Sequence, residues 1–296
     1  MGNIIGLDVG GTNIRAGILD DHNTLIDEFK IPNLYNKDNL LIDKMIDIIN
    51  EYFKYSIIDG IGLSIAGSVS PKGKVVTARN LGSIVDYPIK DILNRIYDVP
   101  VIIENDAKLA AYGEAVYGGG RAYKNVCYIT ISTGLGGGVV IDKEIYMGSS
   151  NLGGYIPRIY LDGEHTSDEL LSGRALLHKA KELISVTIRD VEELFVLYEQ
   201  GNKAAIEIIE EFKHYLTILL LNITATFNPD IIILGGGIVK SKDLFLTDVL
   251  KEYYIKVHIL ANNTFITTQT LEEPGLIGAC GYCKKRINKI NKDEPQ

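Results

Sequence analysis

One phrase occurs twice in this chain, and it constrains the fold more than any other feature. The first copy reads Asn3-Ile-Ile-Gly-Leu-Asp-Val-Gly-Gly-Thr-Asn-Ile-Arg-Ala-Gly17, the second Val126-Cys-Tyr-Ile-Thr-Ile-Ser-Thr-Gly-Leu-Gly-Gly-Gly-Val-Val-Ile141. Each is an apolar strand, a Thr/Gly-rich turn and a second apolar strand. A glycine-rich turn lets backbone approach a ligand closely and aims several N–H groups at one point. Two such turns in one chain suggest two related lobes holding one polyphosphate from opposite sides.

The rest of the pattern fits two α/β lobes. At 296 residues the chain exceeds one ordinary core. Strands are expected at 3–9, 13–20, 24–31, 57–65, 101–104, 125–132, 137–142 and 230–234. Helices are expected at 40–53, 90–97, 107–116, 168–184, 190–200, 203–227 and 276–287. A strand hairpin followed by strand–helix alternation, once in each half, predicts mixed sheets flanked by helices. The Gly118-Gly119-Gly120 break divides a first lobe, residues 1–118 with 276–296, from a second, residues 119–275.

Composition excludes several classes. Formal net charge is −8, which argues against nucleic-acid binding, since phosphate backbones require Lys and Arg. The Lys-rich end reads as a solvated helix face. No apolar run suits a membrane span or a signal peptide. Three cysteines are too few for a disulfide scaffold and suggest a reducing cytoplasm. Cys280 and Cys283 form a CxxC pair without a second ligand pair, so two small buried residues on a packed helix are expected rather than a metal site.

Four turns carry the candidate chemistry. In the first, Gly10 and Gly11 can take positive φ, Thr12 and Asn13 add donors, and Asp8 can hold Mg²⁺ through water. The alternative is an ordinary hairpin with an Asp cap. The second turn, 132–138, spends four glycines where a hairpin needs one or two. Thr133, Gly134 and Gly136 are its candidate phosphate contacts. Gly235 and Gly236, after the strand at 230–234, can seat an adenosine. In Glu104-Asn-Asp-Ala107, Asp106 reads either as a helix N-cap or as a general base, with Asn105 bonding neighbouring hydroxyls.

Asp8-x-Gly-Gly-Thr-x-x-Arg15, Glu104-Asn-Asp-Ala107, Thr133-Gly-x-Gly-Gly-Gly138, Asn228-Pro229 with Gly235-Gly-Gly237, and Pro274-x-x-Ile277-Gly-Ala279, taken together and in this order, resemble the ROK family of sugar kinases and repressors. The resemblance implies the actin-like ATPase/sugar-kinase fold, closing over a sugar and Mg-ATP, often within a homodimer. It implies Asp106 as catalytic base and Gly67, Asn80 and Asn105 near the sugar. Two departures stand out. Tyr155 and Arg158 occupy the positions of the family's sugar-binding Glu and His. The stretch 159–167 lacks the family's zinc cysteines, so no zinc is expected. Asp168 falls where the family has a further Glu beside the sugar, with Glu169 as the other candidate. The implied reaction is transfer of the ATP γ-phosphate to a hexose hydroxyl, the 6-hydroxyl of glucose foremost. A kinase for N-acetylmannosamine, mannose or fructose, a non-catalytic sugar sensor and a sugar-independent ATPase are the alternatives. No DNA-binding domain is expected ahead of the first strand.

Overall fold

The computed structural model describes residues 3–20, 22–34, 40–78, 81–82 and 84–293. In chain order the first elements are β1 (Asn3–Val9), β2 (Asn13–Leu19), β3 (Leu25–Pro32), α1 (Leu40–Tyr55), β4 (Ile58–Ile65), β5 (Ser68–Val69), β6 (Val75–Ala78), β7 (Ile84–Tyr87), α2 (Ile89–Ile96), β8 (Val101–Asn105) and α3 (Asp106–Val116). There follow β9 (Asn125–Ile131), β10 (Leu135–Ile141), β11 (Glu144–Ile145), α4 (Ser167–Leu171), α5 (Gly173–Leu183), α6 (Val191–Glu199), α7 (Lys203–Phe227), β12 (Ile231–Gly235), α8 (Leu246–Lys256), β13 (Phe265–Thr268) and α9 (Pro274–Asp293). None of the helices among the described residues is long and apolar enough to cross a membrane.

The chain forms two compact units. The first comprises residues 1–121, 143–153 and 270–296; the second comprises 122–142 and 154–269. The segment 143–153 gives no sign of this placement in the sequence, and its hydrogen bonds explain it. Asn151 donates to Val69 O and to the Glu104 carboxylate, and it accepts from Lys108 Nζ. Lys143 Nζ donates to the carbonyls of Ala115, Gly120 and Arg121. Lys108 is buried and needs such partners, because an unpaired buried charge is costly.

In the first unit the sheet order is β3-β2-β1-β4-β8, with a small second sheet β5-β6-β7. β1 runs antiparallel to β2 and parallel to β4, and β4 runs parallel to β8. Alternate strand residues point to opposite faces. Ile5, Leu7 and Val9 of β1, with Ile61, Leu63 and Ile65 of β4, pack in one core with Leu41, Met45, Ile48 and Ile49 of α1. The other face is cut back to glycine, at Gly6, Gly60 and Gly62, and there α9 lies directly on the strands. A methyl group on Gly62 would stand 2.2 Å from the Ala279 carbonyl oxygen, and one on Gly6 2.3 Å from Cys280 Sγ. Cys280 and Cys283 are fully buried in this contact, which accounts for the CxxC spacing: neighbouring positions on one helix face that meet glycines.

The second unit repeats the plan. Over its own strands the order is β10-β9-β12-β13, with β9/β10 antiparallel and β12 parallel to both neighbours. Its core joins β9 and β12 to the apolar stripe of α7. One expected helix over 168–184 is two. The chain breaks at Ser172, whose hydroxyl accepts the Ala175 N–H and caps α5, while the Gly173 N–H goes to Ser132 O.

Candidate functional site

In the first unit, strand register assembles a polar row. Arg15, Asp8, Ser64 and Glu104 are successive cross-strand partners across β2, β1, β4 and β8. Paired residues share a face, so the row lies on the glycine face, two positions beyond the glycines that admit α9. The Asp8 carboxylate accepts from Ser64 Oγ at 2.5 Å and from Arg15 Nη1 at 3.5 Å. Arg15 Nε lies 2.7 Å from Glu273 Oε2, an ion pair without hydrogen-bond alignment. The start of α9 adjoins Asp8, since a methyl group on Gly275 would come 3.3 Å from Asp8 Oδ1. Burial pushes the Asp8 pKa up, opposed by the Ser64 hydrogen bond and the Arg15 charge. Ser64 and Glu273 carry no sequence signal, because a lone Ser in an apolar strand and a Glu before a helix are commonplace.

Asp106 opens α3 directly after β8. It is half-buried. Its Oδ1 accepts the Ala107 N–H at 2.8 Å and Asn105 Nδ2 at 2.9 Å. The N-cap role belongs to Asn105, whose Oδ1 accepts the Lys108 N–H. The capping alternative for Asp106 therefore passes to its neighbour. Desolvation raises the Asp106 pKa to about 7, helped by the Asp8 charge and opposed by the hydrogen bonds. Asn105 Nδ2 also reaches Gly67 O at 3.0 Å, and Gly67 must be glycine because a methyl group there would sit 2.5 Å from Thr77 O. Gly67, Asn105, Asp106 and Asp8 are thus linked within one unit. Asn80 lies outside the described residues.

The first turn departs from expectation at its glycines. Neither Gly10 nor Gly11 adopts positive φ. The Gly10 N–H is used inside the turn, bonded to Asn13 O, and Asn33 Nδ2 caps the Gly10 carbonyl. Thr12 is exposed at the tip and Asn13 begins β2 half-buried.

In the second unit the glycine turn is shorter than its sequence suggests. β10 starts at Leu135, so Gly136, Gly137 and Gly138 are strand residues and the turn is Ser132–Gly134. Gly137 is required by packing, as a methyl group there would meet Ile156 Cδ1 at 2.2 Å. Gly235 is confined in the same way by Tyr128 and Gln269, and Gly236 has φ 93° with its α-carbon against the Ile131 backbone. Asp168 sits beside this turn. Its Oδ1 accepts the Leu135 N–H at 2.8 Å and its Oδ2 pairs with Arg174 Nη2 at 2.9 Å. Glu169, the other candidate, instead accepts the N–H and hydroxyl of Thr166 and caps α4. Tyr155 is half-buried ahead of a short 3-10 turn at Ile156–Arg158, and Arg158 is exposed. A cavity of about 530 Å³ opens beside the turn, and its lining includes Ser132, Thr133, Arg174, Leu177, Gly237 and Ile238. A concave site of this size with both apolar and polar lining suits a small molecule.

The chain is 28% identical over 317 residues to a glucokinase of Streptomyces coelicolor, covering 96% of this chain and 98% of the relative. It is 30% identical to a xylose repressor of Bacillus spizizenii, covering 88% of this chain and 71% of the repressor. The structure superposes on a ROK family glucokinase of Streptomyces griseus in complex with glucose and AMPPNP, with TM-score 0.82, 25% identity, and coverage of 96% and 100% of the two chains. The fold is the actin-like ATPase fold of the ROK sugar kinases. With the ROK family matching residues 4–286, the chain belongs to the ROK family.

Proposed function

We propose that the chain is an ATP-dependent hexose kinase that phosphorylates a sugar hydroxyl, foremost the 6-hydroxyl of glucose. The observation that carries this reading is Asp106, a half-buried carboxylate with a pKa near 7, beside Asp8 and bonded to Asn105. A general base is most effective when its pKa lies near the working pH.

Asp106 takes the proton of the attacking sugar hydroxyl. The sugar oxygen forms a bond to the γ-phosphorus as the bond from that phosphorus to its bridging oxygen breaks, and ADP leaves. Asn105 and the Gly67 backbone orient the sugar. In the first unit the Thr12 and Asn13 side chains are the candidate phosphate donors, and in the second unit the Thr133 and Gly134 backbone is. Asp8 fits Mg²⁺: it offers hard carboxylate oxygens, and Ser64 and Arg15 take two of its roughly four acceptor sites. The metal ion, when bound, neutralises charge on the phosphate oxygens. Asp8 would hold it through water. Positioning and electrostatics then provide most of the rate.

The test is ADP release across a panel of glucose, mannose, fructose and N-acetylmannosamine. Release with none of them would sink the kinase reading. A non-catalytic sugar sensor is the second reading, favoured by Tyr155 and Arg158 in place of the family's Glu and His and by the repressor among the relatives. It predicts sugar-induced thermal stabilisation without ADP. A homodimer, on the strength of the family resemblance, completes the proposal, with a cytoplasmic setting and neither nucleic acid nor membrane as partner on the strength of the cysteine count, net charge and hydropathy of the sequence. Light scattering tests the dimer.

The raised pKa also predicts a pH profile. The carboxylate form is the base, so kcat/KM should fall about tenfold per pH unit below about 7 and level off above it. Asp8→Asn removes a charge that raises the Asp106 pKa. The acid limb of that variant should move to lower pH, whatever its absolute rate. A limb that stays in place would mean the two carboxylates do not interact.

A further inference from the structure

Arg174 has no part in the resemblance above, yet the structure ties it to the second turn three ways. Its backbone N–H donates to Thr133 O at 3.0 Å. Its guanidinium Nη2 pairs with Asp168 Oδ2 at 2.9 Å, while Asp168 Oδ1 accepts the Leu135 N–H immediately after the turn. Its side chain lines the 530 Å³ cavity together with Ser132, Thr133 and Gly237. The Arg174 side chain is 56% exposed. It is therefore buttressed on one edge and open on the other.

A guanidinium carries five donors in a planar fork that matches phosphate geometry. Only one nitrogen is engaged by Asp168. Gly134 leaves the approach clear, since even a methyl group there would stop 4.0 Å from Arg174 Nη2 and 3.5 Å from Asp168 Oδ1. Arg189, on the same cavity, is paired with Glu193 of its own helix surroundings. Arg174 is the cation fixed to the turn itself.

We propose that Arg174 binds the phosphate tail of the donor nucleotide and that Asp168 is a positioning residue that aims it. This deepens the proposed function and rests on its nucleotide reading. Charge-assisted bidentate bonds to phosphate are stronger than neutral ones, so the contribution should be specific to phosphorylated ligands.

The experiment is calorimetric titration of the full chain with ADP and, separately, with adenosine, for wild type, Arg174→Ala, Arg174→Lys and Asp168→Asn. Arg174→Ala should weaken ADP binding roughly 10–100-fold and leave adenosine unchanged. Arg174→Lys should recover part of the loss, and Asp168→Asn should weaken ADP by a smaller factor. Wild-type ADP affinity retained in Arg174→Ala would overturn the assignment while leaving the nucleotide reading intact. Equal losses for ADP and adenosine would overturn it as well, because a merely structural residue would affect both. A wild-type chain that binds neither ligand would overturn the nucleotide reading together with this assignment.

Discussion

Replacing Asp106 with Asn is expected to lower kcat by roughly 10²–10⁴-fold while sugar affinity holds. Asn keeps the oxygen that accepts from Ala107 N–H and from Asn105 Nδ2, so the start of α3 should be undisturbed. What it cannot do is take up the hydroxyl proton. A variant with near-normal kcat in a coupled ADP assay would remove Asp106 from the base role. The same substitution should also change stability, and the sign follows from the pKa. The folded value is about 7, above the ordinary carboxylate value near 3.8. The fold therefore disfavours the ionised form, with the full penalty above about pH 7 and none near pH 4. Asp106→Asn should melt at a higher temperature than wild type at pH 8, with the gain shrinking as the pH is lowered. A carboxylate kept at such a cost is characteristic of a functional site.

The second large effect is expected from Gly278→Ala. A methyl group there would stand 1.8 Å from Leu109 O and 2.6 Å from Leu109 C, and one on the facing Gly113 would stand 2.3 Å from Pro274 O. Paired glycines let α3 and α9 approach backbone to backbone. Alanine favours helix by up to about 1 kcal/mol over glycine. A backbone carbonyl, unlike a side chain, cannot rotate out of the way, so the helices must separate. Overpacking of this kind costs about 1–3 kcal/mol, occasionally more, and the collision should win. Both helices open at the site, α3 with Asp106 and α9 with Gly275 beside Asp8. The variant should therefore lose kcat together with melting temperature. An unchanged melting temperature would contradict the close crossing.

Much of this was legible in the residues. The two strand–turn–strand phrases, the Glu104–Ala107 turn and the long helices announce themselves through period and composition. Other features depend on contacts distant in sequence. Ser64 acquires meaning only through its register opposite Asp8. Gly137 reads as part of a phosphate turn until Ile156, far along the chain, is seen to need its space. The same holds for Gly235 and Gly236, whose glycine character is imposed by Tyr128, Gln269 and Ile131. Asp168 and Glu169 are adjacent and chemically alike. Only the caps and partners they adopt separate the carboxylate at the second turn from the one that closes a helix end. The placement of 143–153 rests on Asn151 and Lys108, a buried pair that no local pattern marks.

The glycine face of the first sheet has a bearing on biosynthesis. Its strands emerge from the ribosome early, but the helix that covers Gly6, Gly60 and Gly62 spans residues 274–293. Until that helix is made, the apolar floor beneath Cys280 and Cys283 has nothing to rest on it. The second unit lies within residues 122–269 and is fully synthesised before that. Such long-range closure slows folding and exposes intermediates. Chains truncated just short of residue 274 and released from the ribosome should accordingly carry a protease-resistant second unit and a first unit that remains digestible.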